Sequence, residues 1–83
     1  MLVNVKTGGL LGRHLPPGSG RNRGTVTIAD GATIIDVMSQ LQMPLDGQYF
    51  TAVNGDVVPP AERAGCSLAE GDNLSIMPPL KGG

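Results

Sequence analysis

One stretch of this chain, Thr33 to Leu41, carries an apolar stripe at helical spacing, with Ile34, Val37, Met38 and Leu41 on one side. Its start is marked. Thr33 followed three residues later by Asp36 has the form of a capping box, and the acid also suits the positive end of a helix. Pro44 stops the pattern and Asp46-Gly47 turns the chain. Around this helix the sequence alternates with period two. Val3 and Val5 oppose Asn4 and Lys6 within residues 1–7, and Val26 and Ile28 oppose Thr25 and Thr27 within residues 25–29. Tyr49 to Val53 is strand-like and runs into Asn54-Gly55, a strong hairpin signal, followed by Val57-Val58 up to Pro59-Pro60. Residues 61–68 read as irregular or a single helical turn, after which Leu74 and Ile76 alternate with Asn73 and Ser75.

The order is β-β-α-β-β-β in 83 residues, with no repeat and no linker. An α+β fold follows: a mixed sheet of four to five strands packed on one main helix, the β-grasp or ubiquitin-like arrangement. The expected core is Val3, Val5, Val26, Ile28, Ile34, Val37, Met38, Leu41, Leu74 and Ile76, with the first and last strands paired mid-sheet. Residues 1–77 form the domain, residues 8–24 a flexible loop inside it, and residues 78–83 a flexible tail. Leu10, Leu11 and Leu15 are the loop residues suited to docking on the core. A connection of that length exceeds the usual hairpin loop, so motion or function is expected of it.

Composition matters mainly for where the 13 glycines and 7 prolines lie: many fall in residues 8–24 or in the last six residues. The single Cys66 excludes an internal disulfide and a cysteine-only metal cage, and reads as a small, partly buried residue. His14 stands in a basic loop far from it in sequence. The seven carboxylates mostly occupy turns, where they accept backbone N–H bonds. No spacing suggests a metal site, no phosphate loop is present, and no catalytic set emerges. No apolar run is long enough to span a membrane, and no secretory leader is apparent, so a cytoplasmic protein is expected.

Reactive chemistry therefore falls to the end of the sequence, Pro78-Pro79-Leu80-Lys81-Gly82-Gly83. Two prolines hold the backbone extended and two glycines lack side chains. Six extended residues reach roughly 20 Å, enough to place the Gly83 carboxylate inside a narrow channel of a partner. Gly82, Lys81 and Leu80 would occupy that passage and give the terminus its access. Met77 and either Tyr49 or Phe50 would dock near the tail's exit, with the choice between the rings set by strand register.

Nearly the whole chain resembles the MoaD/ThiS sulfur carriers, the small subunit of molybdopterin synthase and its thiamine-pathway relatives. The resemblance rests on Val53-Asn54-Gly55-Asp56-Val57-Val58-Pro59 and on Glu70-Gly71-Asp72-Asn73-Leu74-Ser75-Ile76-Met77 leading into the Pro-Pro, Gly-Gly tail. The Pro-Pro step is closer to the molybdopterin branch. What the resemblance implies is a carrier, not an enzyme, with no bound cofactor and no metal. A MoeB/ThiF-like adenylating enzyme would use ATP to activate the Gly83 carboxylate. A sulfur donor such as a cysteine desulfurase or rhodanese would then leave a thiocarboxylate. An acceptor such as the molybdopterin synthase large subunit would take the sulfur.

Residues 8–24 are richer in glycine and arginine than this family pattern. Alternatives stay open: the thiamine or another sulfur-transfer pathway, or a ubiquitin-like protein modifier that joins Gly83 to lysines. Charge raises a third. The chain carries +4 up to Arg23 and −5 beyond it, for a net −1. That split suits a β-grasp RNA-binding module, but four cations without a neighbouring aromatic residue give little basis for base stacking. It equally suits an acidic surface that steers the chain toward a basic partner.

Overall fold

A computed structural model describes residues 1–43 and 49–78. Five strands, β1 (Leu2–Thr7), β2 (Arg23–Thr27), β3 (Phe50–Val53), β4 (Asp56–Val58) and β5 (Asn73–Met77), form one sheet in the order β2-β1-β5-β3-β4. β1 and β5 run parallel at its centre, and the other neighbours are antiparallel. One helix, α1 (Ile34–Gln40), covers one face, and two 3-10 helices, Gly9–His14 and Pro60–Gly65, lie in the connections. This is the mixed α+β sheet that the alternation predicts. The largest boundary difference is at β2. β2 begins at Arg23, two residues before the expected start, because Arg23 and Gly24 pair with Lys6 and Val5. Ile28 lies beyond the strand but stays in the core, its N–H donating to the Met1 carbonyl at 2.9 Å.

The helix forms where the cap chemistry places it. The Asp36 N–H donates to Thr33 Oγ1 at 3.3 Å, and the Thr33 N–H donates to Asp36 Oδ2 at 2.8 Å, so the box is closed in both directions. Ile34, Val37 and Met38 are wholly buried and Leu41 nearly so. The C-terminus is closed before Pro44, which lies outside the described residues with Leu45, Asp46, Gly47 and Gln48. Gln42 takes a left-handed φ of 57°, the Met43 N–H reaches the Met38 carbonyl, and the Gln42 N–H reaches that of Ser39, both at 3.0 Å. These two bonds are a Schellman closure, which satisfies carbonyls that the helix end leaves free. All ten expected core residues are buried, and Leu15, Met43 and Leu68 join them.

The connection between β1 and β2 is built by close backbone contact. Gly12 lies so near the Arg21 carbonyl that a Cβ there would overlap it, so the two limbs of the loop meet where only glycine fits. With its amide turned, Asn22 donates to the Thr7 hydroxyl and to the carbonyls of Gly9 and Arg21. Of the three loop leucines, Leu15 is buried and Leu11 packs against the core, whereas Leu10 stands exposed.

Candidate functional site

Gly83, Gly82, Lys81 and Leu80, with Pro79, lie outside the described residues; the described part of the site is the end of β5 and its surroundings. β5 is flanked by β1 and β3, and the chain therefore leaves the sheet from its middle. Gly8, just past the end of β1, packs against this exit: a Cβ there would sit 2.9 Å from Met77 Sδ and 3.1 Å from Pro78 Cδ. A Cβ at position 8 would press on the Met77 side chain and on Pro78 at the root of the tail.

On the other flank, Phe50 is the register partner of Met77. Directly opposed residues of a sheet share a face, and Thr51, one residue on, is buried toward the helix. Phe50 and Met77 therefore share the face that α1 does not cover. Phe50 is 50% exposed, whereas Tyr49 is half-buried and packed against the core. Of the two rings, Phe50 is the outward one. Ala52 and its partner Val57 lie on the same face, and Val57 is 58% exposed. The result is an apolar patch of Phe50, Met77 and Val57 beside the tail's exit.

Two supports hold this patch in place, and the sequence reading passed over one of them. Arg63, counted there only as a charge, is 3% exposed. Its Nε donates to Thr51 Oγ1 at 3.0 Å and its Nη2 to the Tyr49 carbonyl. The Thr51 hydroxyl donates onward to the Val58 carbonyl at 2.8 Å. A guanidinium thus ties the second 3-10 helix to the residues on both sides of Phe50 and, through Thr51, to β4. An isolated arginine among alanines and prolines carries no local mark of burial, so no pattern in the sequence signals this role.

The second support joins the two segments that carry the family resemblance. Asn54 and Gly55 have φ of 50° and 91°, the paired positive values of the tight hairpin turn expected at Asn-Gly. Asn54 does more than turn. Its Nδ2 donates to Asp72 Oδ1 at 3.0 Å, and its Oδ1 accepts from the Asn73 N–H at 2.9 Å. Its own N–H donates to the Asn73 carbonyl at 2.8 Å. The β3–β4 turn is therefore bolted to the start of β5.

Asp72 also accepts from the Ala69 N–H at 2.8 Å. That bond first, and the Asn54 amide second, hold its carboxyl below the usual range. A lowered folded-state pKa gives stability that is fully present above the unfolded value of about 3.9 and lost as pH falls through the lower folded value. The Asp72→Asn variant is accordingly expected to show a flatter loss of stability in acid. Denaturant titrations between about pH 5 and pH 2 check this, and acid limbs of equal slope in the two proteins would remove Asp72 as the cause.

Among the described residues no group of three His, Cys, Asp or Glu side chains is placed to hold a metal, and no helix is long and apolar enough to cross a membrane. Cys66 is half-buried after the second 3-10 helix, and His14 closes the first.

A model of the ThiS family matches residues 19–83. A search of the curated proteins gives no match. Among solved structures, SAMP1 from Haloferax volcanii is 21% identical with a TM-score of 0.70, over 100% of both chains. A putative molybdopterin converting factor subunit 1 from Pyrococcus furiosus is 19% identical with a TM-score of 0.70, over 95% of this chain and 98% of that one. A chain in the complex of subunits 1 and 2 of the molybdopterin-converting factor from Helicobacter pylori 26695 is 22% identical, TM-score 0.61, over 100% of both. At these identities the likeness is one of fold.

Proposed function

Because the chain belongs to the ThiS family, we propose that it is a sulfur carrier whose reactive group is the Gly83 carboxylate. A carboxylate is a poor acyl donor. Attack of its oxygen on the α-phosphorus of ATP, with loss of pyrophosphate, gives an acyl adenylate with AMP as a good leaving group. A thiol reductant, itself oxidised to a disulfide, releases hydrosulfide from a sulfur donor's persulfide; the hydrosulfide attacks the acyl carbon, AMP leaves, and a thiocarboxylate remains. This soft nucleophile stays attached to the chain until an acceptor enzyme presents an electrophilic carbon. ATP, Mg²⁺ and the acid–base chemistry belong to the partners. This chain contributes a carboxylate on a narrow stem and a surface that docks the stem's base.

The observation that carries the reading is the family match, which runs through Gly83. The geometry supports it: the tail leaves from mid-sheet between Gly8 and Phe50, with an exposed apolar patch beside it. The acceptor best favoured by Pro78-Pro79 is a molybdopterin synthase large subunit acting on a cyclic pterin precursor. The Helicobacter pylori relative is described in complex with a second subunit of that factor, which fits a paired acceptor here. The fold likeness to SAMP1, described as a small archaeal modifier protein, keeps a second acceptor in view: a lysine amine attacking the same activated carboxylate to form an isopeptide bond.

Intact mass tests the reading. The chain is incubated with a MoeB/ThiF-like adenylating enzyme, ATP, a thiol reductant and either a cysteine desulfurase with cysteine or a rhodanese with thiosulfate. The expected product carries one oxygen-to-sulfur exchange, and transfer of that sulfur to a pterin precursor fixes the branch. Ladders of conjugates in a lysate without the exchange would select the modifier instead.

A further inference from the structure

The register places one residue from each strand in a single row across the sheet: Arg23, Lys6, Ser75, Ala52 and Val57. All five lie on the face opposite α1, since Val5, Val26 and Leu74 fill the other. The row divides by chemistry. Its β3–β4 half is the apolar patch with Phe50 and Met77, and its β2–β1 half presents two cations directly opposite each other. Like charges in that position destabilise a sheet. Lys6 and Arg23 are exposed, and their neighbours in a shallow groove are the uncharged Asn4, Thr25, Asn73 and Ser75. Among the described residues the one ion pair joins the Met1 amine to Asp30, so neither cation meets a carboxylate there. An arrangement that costs stability within the chain is relieved when a second molecule supplies the anion.

From this we infer that Lys6 and Arg23 select the protein partner: a docking surface that presents carboxylates against this pair and an apolar side chain against Phe50, Met77 and Val57. The inference rests on the carrier reading and names the chemistry of its first partner, the adenylating enzyme. Ser75 and Met77 are two residues apart on β5, roughly 7 Å along the strand, so one surface covers both halves while the tail enters the partner's channel. Aligned in this way, apolar contacts supply affinity, and the charges set on-rate, salt dependence and rejection of wrong partners. From Gly24 onward the chain carries a net −5, which makes the basic half of this face a reversal of sign that an acidic surface can find by field alone.

The test uses the full chain and a MoeB/ThiF-like adenylating enzyme. In the Lys6→Glu plus Arg23→Glu variant, KM for the chain in the loading reaction rises about tenfold or more at low salt while kcat is unchanged. The salt dependence seen with the unaltered chain disappears. Lys6→Glu alone creates an opposite-charge pair with Arg23, so its thermal midpoint should equal or exceed that of the unaltered chain while its KM still rises. That separates partner choice from folding. An unchanged KM and salt slope in the double variant overturns the inference, yet the sulfur-loaded mass would still uphold the carrier. Fluorescence anisotropy without ATP gives a readout independent of loading. Binding that the double variant retains at low salt also overturns the inference, as does an RNA gel shift lost in that variant while enzyme binding persists.

Discussion

Removal of Gly83 alone is expected to abolish sulfur loading while leaving the fold intact. Each extended residue spans roughly 3.3–3.6 Å, so the new terminal carboxylate on Gly82 falls that far short of its position in the partner's channel. Misplacement of a reacting group by about 1 Å can cost 10²-fold in rate. The shortened chain is therefore expected to lose at least about 10²-fold in adenylate formation, measured by pyrophosphate release and by intact mass. Its thermal midpoint should match the full chain, because the buried core described here ends at Ile76. Valine at position 82 tests the second half of the argument. It restores reach but adds a branched side chain where a narrow channel admits only backbone, so loading should fail again. Normal loading by either variant would exclude a narrow channel around the terminus. Activity in cells that survives loss of both Gly82 and Gly83 would remove carrier and modifier together.

The second large effect is on stability. Arg63→Leu should lower the unfolding free energy by about 3 kcal/mol, because the Thr51 hydroxyl and the Tyr49 carbonyl lose donors in a buried setting. In a domain of this size that corresponds to a fall of roughly 12–24 °C in thermal midpoint. Arg63→Lys should recover only part of it. A single ammonium on a flexible stem cannot reproduce a planar fork that reaches two acceptors. Because those acceptors flank Phe50, partial recovery of stability should leave a weakened partner contact, seen as a higher KM in loading. A loss below about 1 kcal/mol for Arg63→Leu, the range of ordinary surface changes, would show that the guanidinium is not holding β3.

The tail's root is gripped on one side by Gly8 and bordered on the other by Phe50. Behind Phe50 stands Arg63, and behind the start of β5 stands the Asn54–Asp72–Asn73 clamp. On the proposed carrier reading, the chain needs to leave the sheet from a fixed point if its terminal carboxylate is to enter a partner. The partner must engage a rigid patch and receive the stem in one orientation, or the reach of the carboxylate is wasted in wrong approaches.

Residues close in sequence determined much of this protein without help. Thr33 and Asp36 mark the helix start because a capping box is closed by neighbours three residues apart. The valine, isoleucine and leucine alternation marks the strands because successive side chains must point to opposite faces. Asn54-Gly55 marks a hairpin because both residues tolerate positive φ. The pairing of β1 with β5 is not local: it joins residues about 70 apart and is expected only from the β-grasp arrangement as a whole. The tertiary structure alone decided the rest, because each remaining feature depends on residues far apart in the chain. Register chose Phe50 over Tyr49 as the outward ring and set Lys6 against Arg23. Backbone approach from Arg21 explains Gly12, which composition could count but not account for. Packing buried Arg63, whose acceptors are 12 and 14 residues away and which nothing in its own neighbourhood distinguishes from a solvated charge.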